Sequence, residues 1–208
     1  MKSLRKQFTE IYCDAANSEK TFNLLHDLYC EKHRAYHNLN HINFLLKLFR
    51  QFDEYIEDKE CVFFTIWFHD AICDPQKNDN EQRSAELAAQ CLQKISMPKD
   101  KITKIEKIIL ATEKHLCENL DSDGKLFLDF DLAILGSGDD IYDEYAKAIR
   151  REYSFVSDED YKSGRARVLQ NFQKREFIYL TDDLREKFEA KARANIKREI
   201  LELSTNAK

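Results

Sequence analysis

Apolar residues return at intervals of three and four through almost all of this chain, in Leu4–Tyr12, Phe22–Tyr29, Ile42–Phe52, Val62–Phe68, Ala85–Leu92, Ile102–Leu110, Phe127–Leu135, Tyr142–Tyr153, Tyr161–Phe172 and Leu184–Leu203. This is the period of a helix that turns one face to a core. No stretch alternates apolar and polar residues over a strand's length between turn signals, so little or no sheet is expected. Backbone breakers are correspondingly scarce: 208 residues hold 4 Gly and 2 Pro, where an ordinary chain has about 7% and 5%. Pro75 with QKNDN behind it, SMPKD and GSGDD fall between periodic segments and mark helix ends rather than domain linkers. The expected fold is all-α, a single domain of about ten helices over 1–208.

With 43% hydrophobic residues the chain can build one sizeable core and not two comfortable ones. Its 33 basic and 38 acidic residues leave a formal charge of -5, so no basic field is expected to hold a nucleic-acid polymer or an anionic membrane surface. No run of about 18 apolar residues occurs, and MKSLRKQFTEIY lacks the apolar centre of a signal peptide. A cytoplasmic protein is expected. Cys13, Cys30, Cys61, Cys73, Cys91 and Cys117 stand far apart without a C-x-x-C pair. They read as reduced thiols, most of them small core hydrophobes, with Cys73 set apart by its place beside a His-Asp pair.

That pair sits in IWFHDAICDP. Stepping along one helical face through Val62 and Ile66 reaches His69, with Asp70 about 100° further round. In YHNLNHINFLLKLF the face of Phe52, Leu48 and Leu45 leads back to His41. In LFLDFDLAILG, Asp131 aligns with Phe127, Leu128, Ile134 and Leu135, whereas Asp129 shares a face with Lys125, Ala133 and Gly136. Asp131 is therefore expected to be the buried carboxylate, and Asp129 a spectator. A buried carboxylate must protonate, pair with a base or bind a metal. Two imidazoles and two carboxylates, His41, His69, Asp70 and Asp131, suit a divalent ion such as Mn, Zn, Fe, Mg or Ni, and leave coordination positions open for chemistry.

The order His41, His69-Asp70, Asp131 resembles that of the HD superfamily of metal-dependent phosphohydrolases, which are helical bundles. YHNLNHI, WFHDAICDP, DNEQRSAELA, FLDFDLAILG and EAKARANIKREI together are similar to a bacterial branch of predicted phosphohydrolases in that superfamily, from about Tyr36 to the end. The resemblance implies an HD-type bundle with a metal-site core over about 36–136 and C-terminal helices over about 139–204. Y-H-N-x-x-H also resembles the signature of cyclic-nucleotide phosphodiesterases, which implies His41 as ligand and His37 as the acid that protonates the leaving oxygen. The His-Pro-Gly that follows in those enzymes is replaced here by residues 71–75, AICDP. The HD-x-x-E-D of alarmone hydrolases is matched at Asp74, with Cys73 in place of the Glu.

The expected activity is thus hydrolysis of a phosphate ester or anhydride in a small phosphorylated metabolite, most plausibly a nucleotide, with Asp74 or Glu81 orienting or deprotonating the water and His37 acting as acid. The alternative is a metal-binding regulatory or nucleotide-binding module without turnover. A positive group must meet the substrate's remaining charge, and Arg34, Lys77, Lys114 and Arg165 stay open for it. His115 reads as an ordinary histidine near a helix end, Trp67 as core, and Arg193 as an internally packed side chain.

Overall fold

Every described element of regular structure is helical. The computed structural model describes residues 2–11 and 15–205, so Tyr12 and Cys13 lie outside the described residues. The helices are α1 (Lys2–Ile11), α2 (Ala15–Tyr29), α3 (Leu39–Gln51), α4 (Lys59–Phe68), α5 (Asn80–Gln93), α6 (Lys99–Ala111), α7 (Ser122–Leu132), α8 (Asp139–Glu152), α9 (Asp158–Gln173) and α10 (Asp182–Thr205). Short 3-10 turns occupy Asp53–Tyr55 and Ala133–Gly136. The fold is all-α, as the periodicity requires, and no described helix is long and apolar enough to cross a membrane.

The chain divides into two compact units, Met1–Leu128 and Asp129–Lys208, and α7 continues unbroken through the division. The first unit is organised about α4. Its residues Cys61 to Phe68 are all buried, because ECVFFTIWF is apolar on every side. Helices α3, α5 and α6 pack on it, and Trp67 meets the edges of Phe8 and Phe22 at 5.2 and 5.7 Å between ring centroids. Asp58 starts the helix by accepting from Cys61 N at 3.0 Å, a cap worth about 1 kcal/mol. The one hydroxyl within it, Thr65, donates to Cys61 O at 2.8 Å, which satisfies it without a tertiary partner.

In the second unit, α10 packs on α9 and on the Ala133–Gly136 turn. A Cβ on Gly136 would lie 2.6 Å from Phe188 Cβ, so only glycine lets the turn approach α10 this closely. Asn195 on α10 donates to Leu135 O and Ser137 O at 2.9 and 2.8 Å, tying down carbonyls at the end of that turn. Half-buried Arg165 and buried Glu199 pair through Nε–Oε1 at 2.8 Å and Nη2–Oε2 at 3.1 Å, and Tyr142 donates to the same carboxylate at 2.5 Å.

The cysteines need a correction. Among the described ones only Cys61 and Cys91 are buried, whereas Cys73 and Cys117 are half-buried and Cys30 is exposed. These five are free thiols. Burial pushes the Cys61 thiol up to about 12, which keeps it protonated and inert.

Candidate metal centre

His41 enters the site from the first turn of α3. Asn38 caps that helix, accepting from Asn40 N at 2.8 Å. The core face runs through His41, Leu45, Leu48 and Phe52, all buried, as the spacing predicts. The helix does not extend back to Tyr36: it begins at Leu39, so His37 precedes the cap and shares no helical face with His41. Ring packing brings the two together instead. Tyr36 lies 4.9 Å from each imidazole, and the imidazoles are 6.0 Å apart.

His69 and Asp70 follow directly on the last turn of α4, with His69 as the C-cap. The Nδ1 of His69 is 3.0 Å from Ile66 O. A carbonyl can only accept, so Nδ1 carries a hydrogen and Nε2 is the ring atom that faces the site. That nitrogen lies 3.1 Å from His41 Nε2 and 3.0 Å from Asp70 Oδ2, and Asp70 Oδ2 is 3.7 Å from His41 Nε2. Both imidazoles are closed to solvent, and Asp70 is 22% exposed.

Helix α7 supplies the last group. Fully buried Asp123 fastens its start, accepting from Glu57 N and Asp58 N at 2.8 and 2.9 Å and from Lys104 Nζ at 2.6 Å. One turn on, Phe127 meets His69 edge-on at 5.3 Å; a further turn brings Asp131. His41, His69 and Asp131 each offer a ligand atom within 4.8 Å of one another, so this group can hold a metal ion. Two imidazole nitrogens with carboxylate oxygen is the donor chemistry of zinc, manganese or iron. Asp70 Oδ2 lies within reach of both Nε2 atoms, and positive charge between such close groups would relieve their repulsion.

The expectation for the two α7 carboxylates is half corrected. Asp131 belongs to the group, but it is half-buried, and Asp129 is the fully enclosed one. Asp129 accepts from Leu180 N and Thr181 N, both at 2.7 Å, and from Thr181 Oγ1 at 2.6 Å. It thus terminates the free N–H groups just ahead of α10. Counting faces on α7 alone missed it, because its partners lie far along the chain.

Asp74 sits in the turn after the His-Asp pair, where its Oδ1 accepts from Gln76 N at 3.0 Å. Its backbone is held from both sides by Asn80, Oδ1 accepting from Asp74 N and Nδ2 donating to Asp74 O. Ser84, one turn along α5, accepts from Ile72 N and donates to Ile72 O. The segment DNEQRSAE therefore serves, through Asn80 and Ser84, to shape the turn behind Asp70. Glu81 lies in the first turn of α5, half-buried. Neither Asp74 nor Glu81 nor His115 is part of the His41–His69–Asp131 group.

Of the four cations left open for phosphate, two are committed elsewhere. Arg165 pairs with Glu199. The Arg34 side chain is fully buried and donates Nη1 to Asp70 O at 2.7 Å and to His37 O at 3.2 Å, Nη2 to Ala71 O at 2.8 Å and Nε to Glu31 Oε2 at 3.0 Å. Its guanidinium also covers the ring of Tyr29 at 5.1 Å. Tyr29 in turn donates to Trp67 O at 3.1 Å, and burial, then the Asp70 carboxylate, hold its phenol well above the ordinary range. Lys77 and Lys114 are exposed. Arg193 packs internally as expected, on Glu189 and the carbonyls of Gln173, Arg175 and Glu176. Comparisons with protein-family models, curated proteins and solved structures give no match.

Proposed function

We propose that this chain is a divalent-metal-dependent phosphohydrolase of the HD kind, acting on a phosphate ester or anhydride of a small metabolite, with a nucleotide as the favoured class. One observation carries the reading: His41, His69 and Asp131 come within ligating reach of one another, and Asp70 Oδ2 lies 3.7 and 3.0 Å from the two histidine Nε2 atoms. The order of these residues in the chain, which resembles that of HD phosphohydrolases, supplies the reaction class. His41, His69, Asp70 and Asp131 would hold the ion, which when bound offers Lewis acidity toward a phosphoryl oxygen and lowers the pKa of water.

The remaining steps belong to the chain. His37, beside His41 but ahead of the helix, is assigned to donate a proton to the leaving oxygen. Asp74 closes its turn through Oδ1, and its second oxygen or the Glu81 carboxylate orients the attacking water. Phe127, packed edge-on against the buried His69 ring, excludes solvent from that side of the site.

The test is a manganese-supplemented screen over nucleoside mono-, di- and triphosphates, cyclic nucleotides and alarmones, with Asp70→Ala alongside. Phosphate or nucleoside release by the wild type alone is expected, and equal background from both proteins on every substrate refutes turnover. On a substrate that is cleaved, His37→Ala should retain metal and lower the rate roughly 10²–10⁴-fold when the leaving group is poor, and less for an aryl phosphate. Equal losses on the two substrates would remove His37 from the reaction.

A further inference from the structure

We infer that Arg34 is a positioning residue for the metal centre: a single buried guanidinium sets the backbone that presents Asp70 and, through the same nitrogen, the backbone of His37. The inference rests on the proposed role of His41, His69, Asp70 and Asp131 as metal ligands. A guanidinium without solvent is costly to keep, and a carboxylate partner alone does not offset that cost unless the remaining N–H groups are satisfied. Here four donations satisfy it, and three go to main-chain carbonyls.

Those carbonyls are not arbitrary. Asp70 O and Ala71 O lie just past the end of α4, where a helix leaves acceptors unmet and its dipole favours a cation. The peptide that follows Asp70 is pinned at both ends, its oxygen by Arg34 Nη1 and its Ala71 N–H by Phe68 O at 3.1 Å. Ahead of it, His69 N donates to Thr65 O at 2.9 Å. Asp70 is left only its side-chain torsions with which to reach His69 and His41. Nη1 also takes His37 O, so residues far apart in sequence are fixed to one atom. The neighbouring His33 adds a parallel tie, its Nε2 donating to Cys73 O at 2.6 Å.

A charge alone cannot do this. The planar fork reaches the consecutive carbonyls of Asp70 and Ala71 with different nitrogens while Nε meets Glu31, and a lysine has only one nitrogen to place. Arg34→Lys therefore keeps the charge and loses the geometry. This separates positioning from phosphate binding, for which lysine would serve.

The experiment titrates cobalt(II) into the full chain against a competing chelator and records the visible ligand-field spectrum. Arg34→Lys should bind cobalt(II) roughly 10–100-fold more weakly than wild type, the usual effect of losing a group that orients a ligand, with a shifted spectrum at saturation. Arg165→Lys, which disturbs a largely enclosed guanidinium paired with Glu199, should lower the melting temperature yet leave cobalt affinity and spectrum unchanged. Wild-type affinity and spectrum in Arg34→Lys overturn the inference, whatever happens to its melting temperature. Should that variant not fold, Glu31→Ala releases one of the four donations from an exposed position, and a roughly two- to tenfold weakening with the same spectral shift is expected; no change there overturns it equally. Failure of the wild type to bind cobalt(II), zinc or manganese would instead remove the metal centre itself and the positioning role with it.

Discussion

Two buried polar regions of this molecule differ in which atoms they set face to face. Around Glu199, donors meet acceptors: Arg165 and Tyr142 present N–H and O–H groups to the carboxylate, and the charge of the arginine cancels that of the acid. Around His69, groups that can ligate a cation meet one another: imidazole nitrogen faces imidazole nitrogen at 3.1 Å and carboxylate oxygen at 3.0 Å. Burial, aromatic neighbours and helical surroundings are common to both. What separates the two regions is the kind of group each gathers, a cation with its anion in the first and a set of atoms able to hold a metal ion in the second.

The strongest way to break this contrast is to delete the ligands. His41→Ala, His69→Ala, Asp70→Ala or Asp131→Ala should each strip most of the bound transition metal after dialysis, measured by elemental analysis, because tight binding needs the full donor set. A variant that kept its metal would show that its residue is no ligand. Next in size, Glu199→Ala should destabilise the protein by roughly 3–5 kcal/mol, since it leaves Arg165 buried and unpaired. Denaturant titration reads this loss, and metal content should stay at the wild-type level; a stability change within about 0.5 kcal/mol would show that the pair is not essential to the second unit. Smallest is Asp129→Ala, which abandons two backbone N–H groups and a hydroxyl for a cost of about 1–3 kcal/mol. Its metal content should match wild type, and metal loss would transfer the ligand role from Asp131 to Asp129.

The last pair shows what was legible in the sequence. Helical periodicity foretold the all-α fold and the inward faces of His41 and His69, because these depend on residues three and four apart. It also brought Asp131 to the site. It gave the full burial to Asp131 rather than Asp129, since the partners of Asp129, the amides of Leu180 and Thr181, come from the approach to α10. Arg34 was visible only as a charge among several. Its role is carried by backbone carbonyls of residues 37, 70 and 71, which have no signature in side-chain identity. The start of α3, three residues ahead of the apolar run from Ile42, is set by Asn38, whose oxygen accepts from a helix amide and caps the helix at Leu39.

Helix α4 has no side that faces water, for Cys61 through Phe68 are all buried, and the His-Asp pair continues from its end. In a saturation mutagenesis map this becomes a solid block of intolerance from Cys61 to Asp70 that holds two unlike requirements in sequence, volume first and ligand chemistry last. Helix α9, where Leu169 is the one fully buried residue and Arg165 reaches Glu199, should give nearly the opposite trace, tolerant at most positions other than these two. The boundary between the two demands inside the block is experimentally separable: substitutions up to Phe68 should cost cellular abundance, whereas those at His69 and Asp70 should spare abundance and cost metal. Selection for protein level and selection for function would therefore divide this one stretch of chain between Phe68 and His69.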